Sequence, residues 1–352
     1  MPSVESIIKD LDTLRAIEQE EVLNHLEEII VLGSYAAEVT EEVKENRFSK
    51  GKVCPYCDHN KVSRNGKYSD KQRYICLSCK KTFTDFSRLP RHNSKKGIKK
   101  WMLYAKCMIN GYSIRKCAVI VGINRPTSFY WRHKILDAVR AYMGVGAVGG
   151  VIEVDETFFR ESFKGNHKKA SSFIMPRQSY HRGIKGPNSD GEKRKRGISS
   201  DQVCVVCAID RIGNIITELT CKGRIKYTDL ERLFKDRIED DSILCTDSHK
   251  SYTKFANDLG IEIHQVKTGK HKEGVYHIQH VNAFHSKLKG WMYKFHGVST
   301  KHLANYMYWF KWLEFFKTEK DIFKGKQLLV QAHISHSDTK IRDFKNREAI
   351  FV

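Results

Sequence analysis

Three oxygen-bearing side chains in the second half of the chain have the types and settings that hold a hard divalent cation. Asp155 closes the strand-like run Val151-Ile152-Glu153-Val154-Asp155, and Asp247 closes a second, Ile243-Leu244-Cys245-Thr246-Asp247. Asn282 lies in a helix-like stretch over 277–293. Two carboxylates at strand ends and an amide oxygen on a helix suit Mg²⁺ or Mn²⁺, which take oxygen ligands. Glu153 and Asp155 share one strand face, and Glu156 points away. On the helix, Val281, Phe284, Leu288 and Trp291 form an apolar stripe, with Asn282, His285 and Lys289 along an adjacent face. Asn282 can then approach the cation while Lys289, two turns on, reaches a phosphate. Singly, each Asp reads as a cap or turn residue. Together, on successive elements of a strongly basic chain, they point to phosphodiester chemistry.

A second constellation is made of thiols. Cys54-Pro-Tyr-Cys57 and Cys76-Leu-Ser-Cys79 are two Cys-x-x-Cys pairs 18 residues apart, the spacing of one structural, four-thiolate Zn²⁺ site. The segment is too short to bury a core of its own, so the metal supplies folding free energy. Residues 61–68 and 72–75 read as two strands of a ribbon. Lys61, Arg64, Lys67, Lys71 and Arg73 give that ribbon a surface suited to DNA. Cys204 and Cys207 lie three apart in a strand and face opposite sides, so they read as thiols without a metal. Cys107, Cys117, Cys221 and Cys245 read as core.

The formal net charge is +21 over 352 residues, which implies a polyanionic partner. The charge is uneven. Residues 1–46 carry twelve Asp and Glu against Lys9, Arg15 and Lys44, and the remainder carries 59 Lys and Arg against 29 Asp and Glu. No run approaches the roughly 18 apolar residues of a membrane span. The start, Met1-Pro-Ser-Val-Glu, lacks the regions of a signal peptide. With ten Cys outside any secretory pattern, a reducing, cytoplasmic compartment is expected.

The elements that must position these groups follow from periodicity. Residues 3–46 predict one acidic amphipathic helix for docking or dimerisation. Residues 94–141 predict helices with a short turn at Val121-Gly122-Ile123, the pattern of a helix-turn-helix. Its second helix would carry Arg125, Thr127, Ser128 and Tyr130 near its N-terminus, where base edges are read. Gly144-Val-Gly-Ala-Val-Gly-Gly150 is a flexible boundary. Residues 160–200 interrupt the following domain with eleven Lys and Arg, among them Lys193, Arg194, Lys195 and Arg196. They read as a mobile loop that orders on DNA. Strands over 202–209 and 214–220, a helix over 228–238, the strand ending at Asp247, a helix over 250–259, a strand over 261–266 and the helix over 277–293 then predict a mixed sheet flanked by helices.

That order, with Asp155, Asp247 and a third ligand, resembles the ribonuclease-H-like DDE transposases of bacterial insertion sequences. Val154-Asp155-Glu156-Thr157, Thr246-Asp247-Ser248-His249-Lys250-Ser251-Tyr252 and the run from His280 to Lys289 are similar to insertion-sequence family 1595, as is Gly297 to Tyr306. That family also carries a zinc ribbon before its catalytic domain. The likeness covers about 50–315, and residues 1–46 have no match. Asn282 stands where other DDE enzymes carry Glu, and the insert 160–200 is long. The resemblance implies an α/β multidomain chain. Its expected parts are an acidic helical segment over 1–47, a zinc ribbon over 48–90 and a helix-turn-helix over 91–143. A catalytic domain over 148–316 and a tail over 317–352 complete the chain. The resemblance also implies two divalent ions bridged by Asp155, a catalytic role for Lys289 on a terminal phosphate or base, binding to element ends and target DNA, a homo-oligomer on DNA, and a bacterial, nucleoid-associated location. Two other readings stay open: a DNA-binding regulator with a degenerate back domain, and a metal-dependent nuclease without strand transfer.

Overall fold

The structure is a computed structural model that describes residues 3–49, 51–68, 71–165, 174, 198–247, 249–266, 272–334, 337 and 339–352. The predicted DNA contacts Lys193, Arg194, Lys195 and Arg196 lie outside the described residues. The chain divides into two compact units, residues 1–142 with 318–339, and residues 143–317 with 340–352.

The first unit opens with two acidic helices where the sequence predicts one: α1 (Val4–Asp12) and α2 (Ala16–Phe48). The break has a local cause. The Thr13 hydroxyl donates to the Asp10 carbonyl, and Arg15 N–H donates to the Glu18 carboxylate to start α2 afresh. Ala36, Val39 and Val43 form the buried stripe of α2, whereas Val4, Ile7 and Ile8 of α1 are exposed. Strands β1 (Val62–Tyr68), β2 (Lys71–Cys76) and β3 (Thr82–Thr84) follow as an antiparallel ribbon. Its core is only Cys54, Tyr74, Cys76 and Phe83, with Tyr56, Val62 and Cys79 against them.

Helices α3 (Ile98–Ile109), α4 (Ile114–Val121) and α5 (Arg125–Met143) complete the unit's N-terminal part. Gly122, at φ 65°, ends α4 in the left-handed conformation that glycine adopts without strain. Asn124 Oδ1 then accepts from Thr127 N–H at 2.8 Å and starts α5, and Pro126 falls in its first turn, where no N–H is needed. Trp101 of α3 stacks on Trp131 of α5 at 3.9 Å. The segment 317–352, expected as a tail, is divided instead. Helix Asp321–Ile334 packs on α2 and α3, with Lys326 between Glu38 and Glu42 at 2.9 and 3.1 Å. The last residues belong to the second unit, where Val352 N–H donates to Leu219 O.

The second unit is a five-stranded mixed sheet of β4 (Val151–Arg160), β5 (Gln202–Asp210), β6 (Ile215–Lys222), β7 (Ile243–Thr246) and β8 (Glu262–Gln265), in the order β6-β5-β4-β7-β8. The first three form an antiparallel meander, and β7 and β8 run parallel to β4. The β5–β6 turn is held by Asp210, whose Oδ1 accepts from the amides of Ile212, Gly213 and Asn214. Helices α6 (Tyr227–Phe234) and α7 (Lys250–Leu259) cover one face, packing Leu230, Leu233, Phe234, Tyr252 and Phe255 onto Ile152, Val154, Val206, Ala208 and Leu244. Each such buried side chain contributes roughly 1.5–3 kcal/mol. Helix α8 (Gln279–Tyr293) packs on β4 and β5, and α9 (Thr300–Phe315) on β6.

Candidate functional site

The site is built around the middle of β4. The strand does not end at Asp155 as the sequence suggests; it pairs with β5 as far as Arg160↔Gln202. What ends is its other neighbour. Pairing with β7 stops at Glu153↔Cys245, and two residues further along the same register stand Asp155 and Asp247. The two carboxylates are level because the strands are parallel, and they meet where β7 gives way to the loop before α7. The Asp247 backbone is held by Gln265 of β8, and its Oδ1 accepts from His249 N–H at 3.0 Å.

Glu156 joins them, although its side chain lies on the opposite face of β4 from Asp155. There it accepts a hydrogen bond from the Tyr252 hydroxyl of α7 at 2.6 Å. Burial pushes the Asp155 carboxyl up to about 7, and the neighbouring Glu156 and Asp247 charges add to the shift while Lys289 opposes it. Burial also pushes Glu156 up to about 7, with Asp247 adding to the effect and the Tyr252 hydrogen bond opposing it. Burial of Asp155 and Glu156 close to the Asp247 charge disfavours the ionisation of those two, and a bound cation relieves that. The donors are all hard oxygens, so the residues fit Mg²⁺ or Mn²⁺. In the metal-free fold both carboxyls keep protons up to about pH 7, whereas an unfolded chain releases them near pH 4. Their stabilising contribution is therefore complete below about pH 4 and is lost as pH rises toward 7. Cation affinity rises over the same window, because the ligands must be deprotonated.

Helix α8 brings the remaining groups. His285 Nδ1 lies 3.6 Å from Asp155 Oδ2, and burial holds the imidazole down to about 4, with Lys289 adding to the effect. It is therefore neutral at pH 7. Lys289, one turn beyond, is exposed. Asn282, one turn before, is exposed on the same face, and its N–H donates to Ile278 O within the helix.

The angle of α8 is set by a residue two before Asp155 on the same strand. Glu153 is fully buried and accepts from the backbone amides of His280 and Val281 at 2.7 and 3.2 Å, where the helix begins. Arg211, at the β5–β6 turn, pairs with it at 2.7 Å. His277 and His280 stand beside that carboxylate, and Glu153, His277 and His280 are spaced as metal ligands could be. The Arg211 guanidinium, 3.0 and 2.8 Å from the two imidazoles, already supplies the cation there. This cluster therefore reads as an anchor for α8. Sequence periodicity put Glu153 on the right face without indicating that it caps a helix over 120 residues away.

In the ribbon, the Cys54 and Cys79 sulfurs are 3.6 Å apart, as are those of Cys57 and Cys76, and all four lie within 4.8 Å of one another. Tetrahedral Zn²⁺ with bonds of about 2.3 Å requires sulfurs about 3.8 Å apart. The Tyr56 amide donates to Cys54 Sγ and the Cys79 amide to Cys76 Sγ, which brings Cys76 down to about 7. Both the spacing and the amides suit thiolates around a metal.

The residues expected to read bases divide. Arg125 is exposed at the start of α5, and Thr127 and Tyr130 are half-buried. Ser128 is not available. It is fully buried, and its hydroxyl donates to Ile114 O at 2.9 Å and contacts the Tyr104 hydroxyl. A small polar side chain at the crossing of α4 and α5 is a packing link, which helical position alone does not reveal.

Residues 147–314 match the family described as the ISXO2-like transposase domain. A protein of Halobacterium salinarum, described as an uncharacterized protein in transposable element ISH50, is 25% identical over 304 residues, covering 80% of this chain and 90% of that protein. Among solved structures, the crystal structure of a pre-cleavage Mos1 transpososome is 10% identical, covers 67% of this chain and 78% of that one, and has a TM-score of 0.20, at which the likeness carries no structural argument.

Proposed function

We propose that the chain is a transposase, as the match of residues 147–314 to the ISXO2-like transposase domain family supports, and that it cleaves and joins DNA at a divalent-cation site held by Asp155, Asp247 and Asn282 in a ribonuclease-H-like domain. The observation that carries this is the level placement of Asp155 and Asp247 by parallel β4 and β7, with the carboxyls of Asp155 and its neighbour Glu156 pushed up to about 7. A pair of Mg²⁺ or Mn²⁺ ions there would activate water or a DNA 3′-hydroxyl and stabilise the leaving oxygen. The protein's part is positioning. Asp155 stands central to the site, and Asp247 closes it from the adjoining strand. Asn282 offers an amide oxygen in place of a carboxylate, so the site carries one negative charge fewer and binds cations more weakly than a three-acid site. Lys289, exposed one turn past His285, receives a phosphate. Neutral His285 backs Asp155 without adding charge.

The same reading assigns one structural Zn²⁺ to Cys54, Cys57, Cys76 and Cys79. It assigns recognition of the element's ends to α4 and α5 as a helix-turn-helix, with Arg125, Thr127 and Tyr130 in contact with DNA. The basic insert at 160–200 adds sequence-independent affinity. Copies of the chain would assemble on DNA to bring two ends together. Among the described residues no helix is long and apolar enough to cross a membrane, and action on bacterial DNA would place the protein in the cytoplasm with the nucleoid.

Incubating the protein with DNA spanning the boundaries of its own gene's element, a target plasmid and Mg²⁺ or Mn²⁺ tests the reading. End cleavage followed by covalent joining to the plasmid is expected. Cleavage without joining would leave a nuclease, and binding without cleavage a regulator.

A further inference from the structure

Between the ribbon and the segment leading to α3, the first unit contains a cleft of about 900 Å³ that the site chemistry does not use. Its floor is the outer face of the ribbon. Arg73 pairs with Thr84 in the β2–β3 register, and Ile75 with Thr82, so Lys71, Arg73, Thr82 and Thr84 share that face while Tyr74 points into the metal-side core. The opposite wall is residues 86–97, ending at Gly97, the N-cap of α3, which has no side-chain cap bond.

Two features give the cleft its chemistry. The described lining contains five cations, Lys71, Arg73, Arg91, Lys95 and Lys96, and no carboxylate. Two other cations of the unit do have acid partners: Lys52 pairs with Asp85, and Lys326 with Glu38 and Glu42. None of the five pairs with an acid among the described residues. Arg73 donates to the Thr82 hydroxyl at 3.1 Å, and half-buried Arg91 lies over the Phe86 ring at 4.5 Å. A partly desolvated guanidinium without a counter-charge is costly, and an anion in the cleft removes the cost. Phe86 and Tyr68, the latter exposed at the end of β1, add flat apolar faces beside the charges.

Resting on the reading of the chain as a DNA-joining protein, we propose that this cleft is a second DNA-contacting site, which grips the phosphodiester backbone of duplex DNA through Lys71, Arg73 and Arg91. Cations on the ribbon face (Lys71, Arg73) and on the facing wall (Arg91), with no acid partner among the described residues, contact phosphates and not base edges, so the grip holds and orients without choosing sequence. It is a larger space than a single phosphate fills, and its hydroxyls (Thr82, Thr84) and rings suit sugars and phosphates in succession.

The test uses the full-length, zinc-loaded protein and a fluorescent random-sequence DNA duplex, with affinity followed against salt. Replacing Lys71, Arg73 and Arg91 together by Ala should reduce the slope of log K against log salt by about 2 to 3, with at least about tenfold weaker binding at moderate salt. Zinc content and thermal midpoint are read in parallel, and the single Arg91→Ala variant serves if the triple variant loses zinc; its slope should fall by about 1. Unchanged slope and affinity in a zinc-loaded variant overturn the cleft while leaving the wider reading intact. An equal fall from Ala at exposed Lys235, Lys317 and Lys320 also overturns it, because bulk charge would then explain the effect. Tight binding of inorganic phosphate by the wild-type cleft would reassign it to a small anion and overturn the proposal. Failure of the wild-type protein to bind any duplex would instead sink the reading on which the proposal rests.

Discussion

Asp155→Asn should leave DNA binding intact and reduce end cleavage by about 10³-fold or more. The substitution keeps the shape of the side chain and removes the charge at the centre of the site. Charge stabilisation by a bound dication contributes several kcal/mol to such a displacement, and each 1.4 kcal/mol is tenfold in rate. Asp247→Asn should behave alike, because the β4–β7 register sets the two carboxylates side by side. Fold damage is not the expected cause of the loss. Asp155 has raised affinity for its proton in the metal-free fold, so a neutral side chain there relieves crowding, and the thermal midpoint without metal should hold or rise. Gel analysis of end cleavage, next to a mobility shift with the same DNA, gives the comparison. Cleavage at the wild-type rate by either variant would remove the carboxylates from the mechanism.

The second large effect concerns the ribbon. Stripping zinc with a strong chelator, or replacing Cys57 by Ser, should unfold the ribbon and sharply weaken binding to the element's ends. The ribbon's apolar core consists of Tyr74 and Phe83 with the thiols of Cys54, Cys76 and Cys79 and two neighbours, Tyr56 and Val62, so little but the metal holds it. Structural zinc contributes of the order of 10 kcal/mol in such sites, far more than that core. Metal analysis should give about one zinc per chain. Hydrogen exchange should show protection lost across β1, β2 and β3 and retained in the second unit. Unchanged protection in the stripped protein would mean that the ribbon folds without metal.

How legible all this was in the sequence depended on whether an element's signal is local. The Cys-x-x-Cys pairs carry their geometry within a few residues, and their four sulfurs stand together as the spacing predicts. Short apolar runs rich in β-branched residues mark β5 and β6, which are buried along nearly their whole length. The sequence marks Asp155 as a strand residue, but β4 runs on past it to Arg160. Where β4 loses a neighbour is decided by the length of β7, almost 90 residues away. Strand alternation turns Glu156 to the other side of β4 from Asp155. Charge acts through space, however, and Asp247 at the strand edge reaches both faces. Ser128 and the break at Thr13 turned on single hydrogen bonds, to Ile114 and Asp10, that helical periodicity does not encode.

The central claim is that Asp155 is a ligand of a divalent cation whose binding competes with protons. Mn²⁺ titration of the wild-type protein by calorimetry, at pH 6 and pH 8 and without DNA, measures this directly. Saturable binding that tightens from the lower to the higher pH is expected, since Asp155 and Glu156 release their protons at about 7. Asp155→Asn should remove that binding and its pH dependence, while zinc in the ribbon is unaffected. Mn²⁺ binding of the same strength and pH dependence in Asp155→Asn would contradict the account.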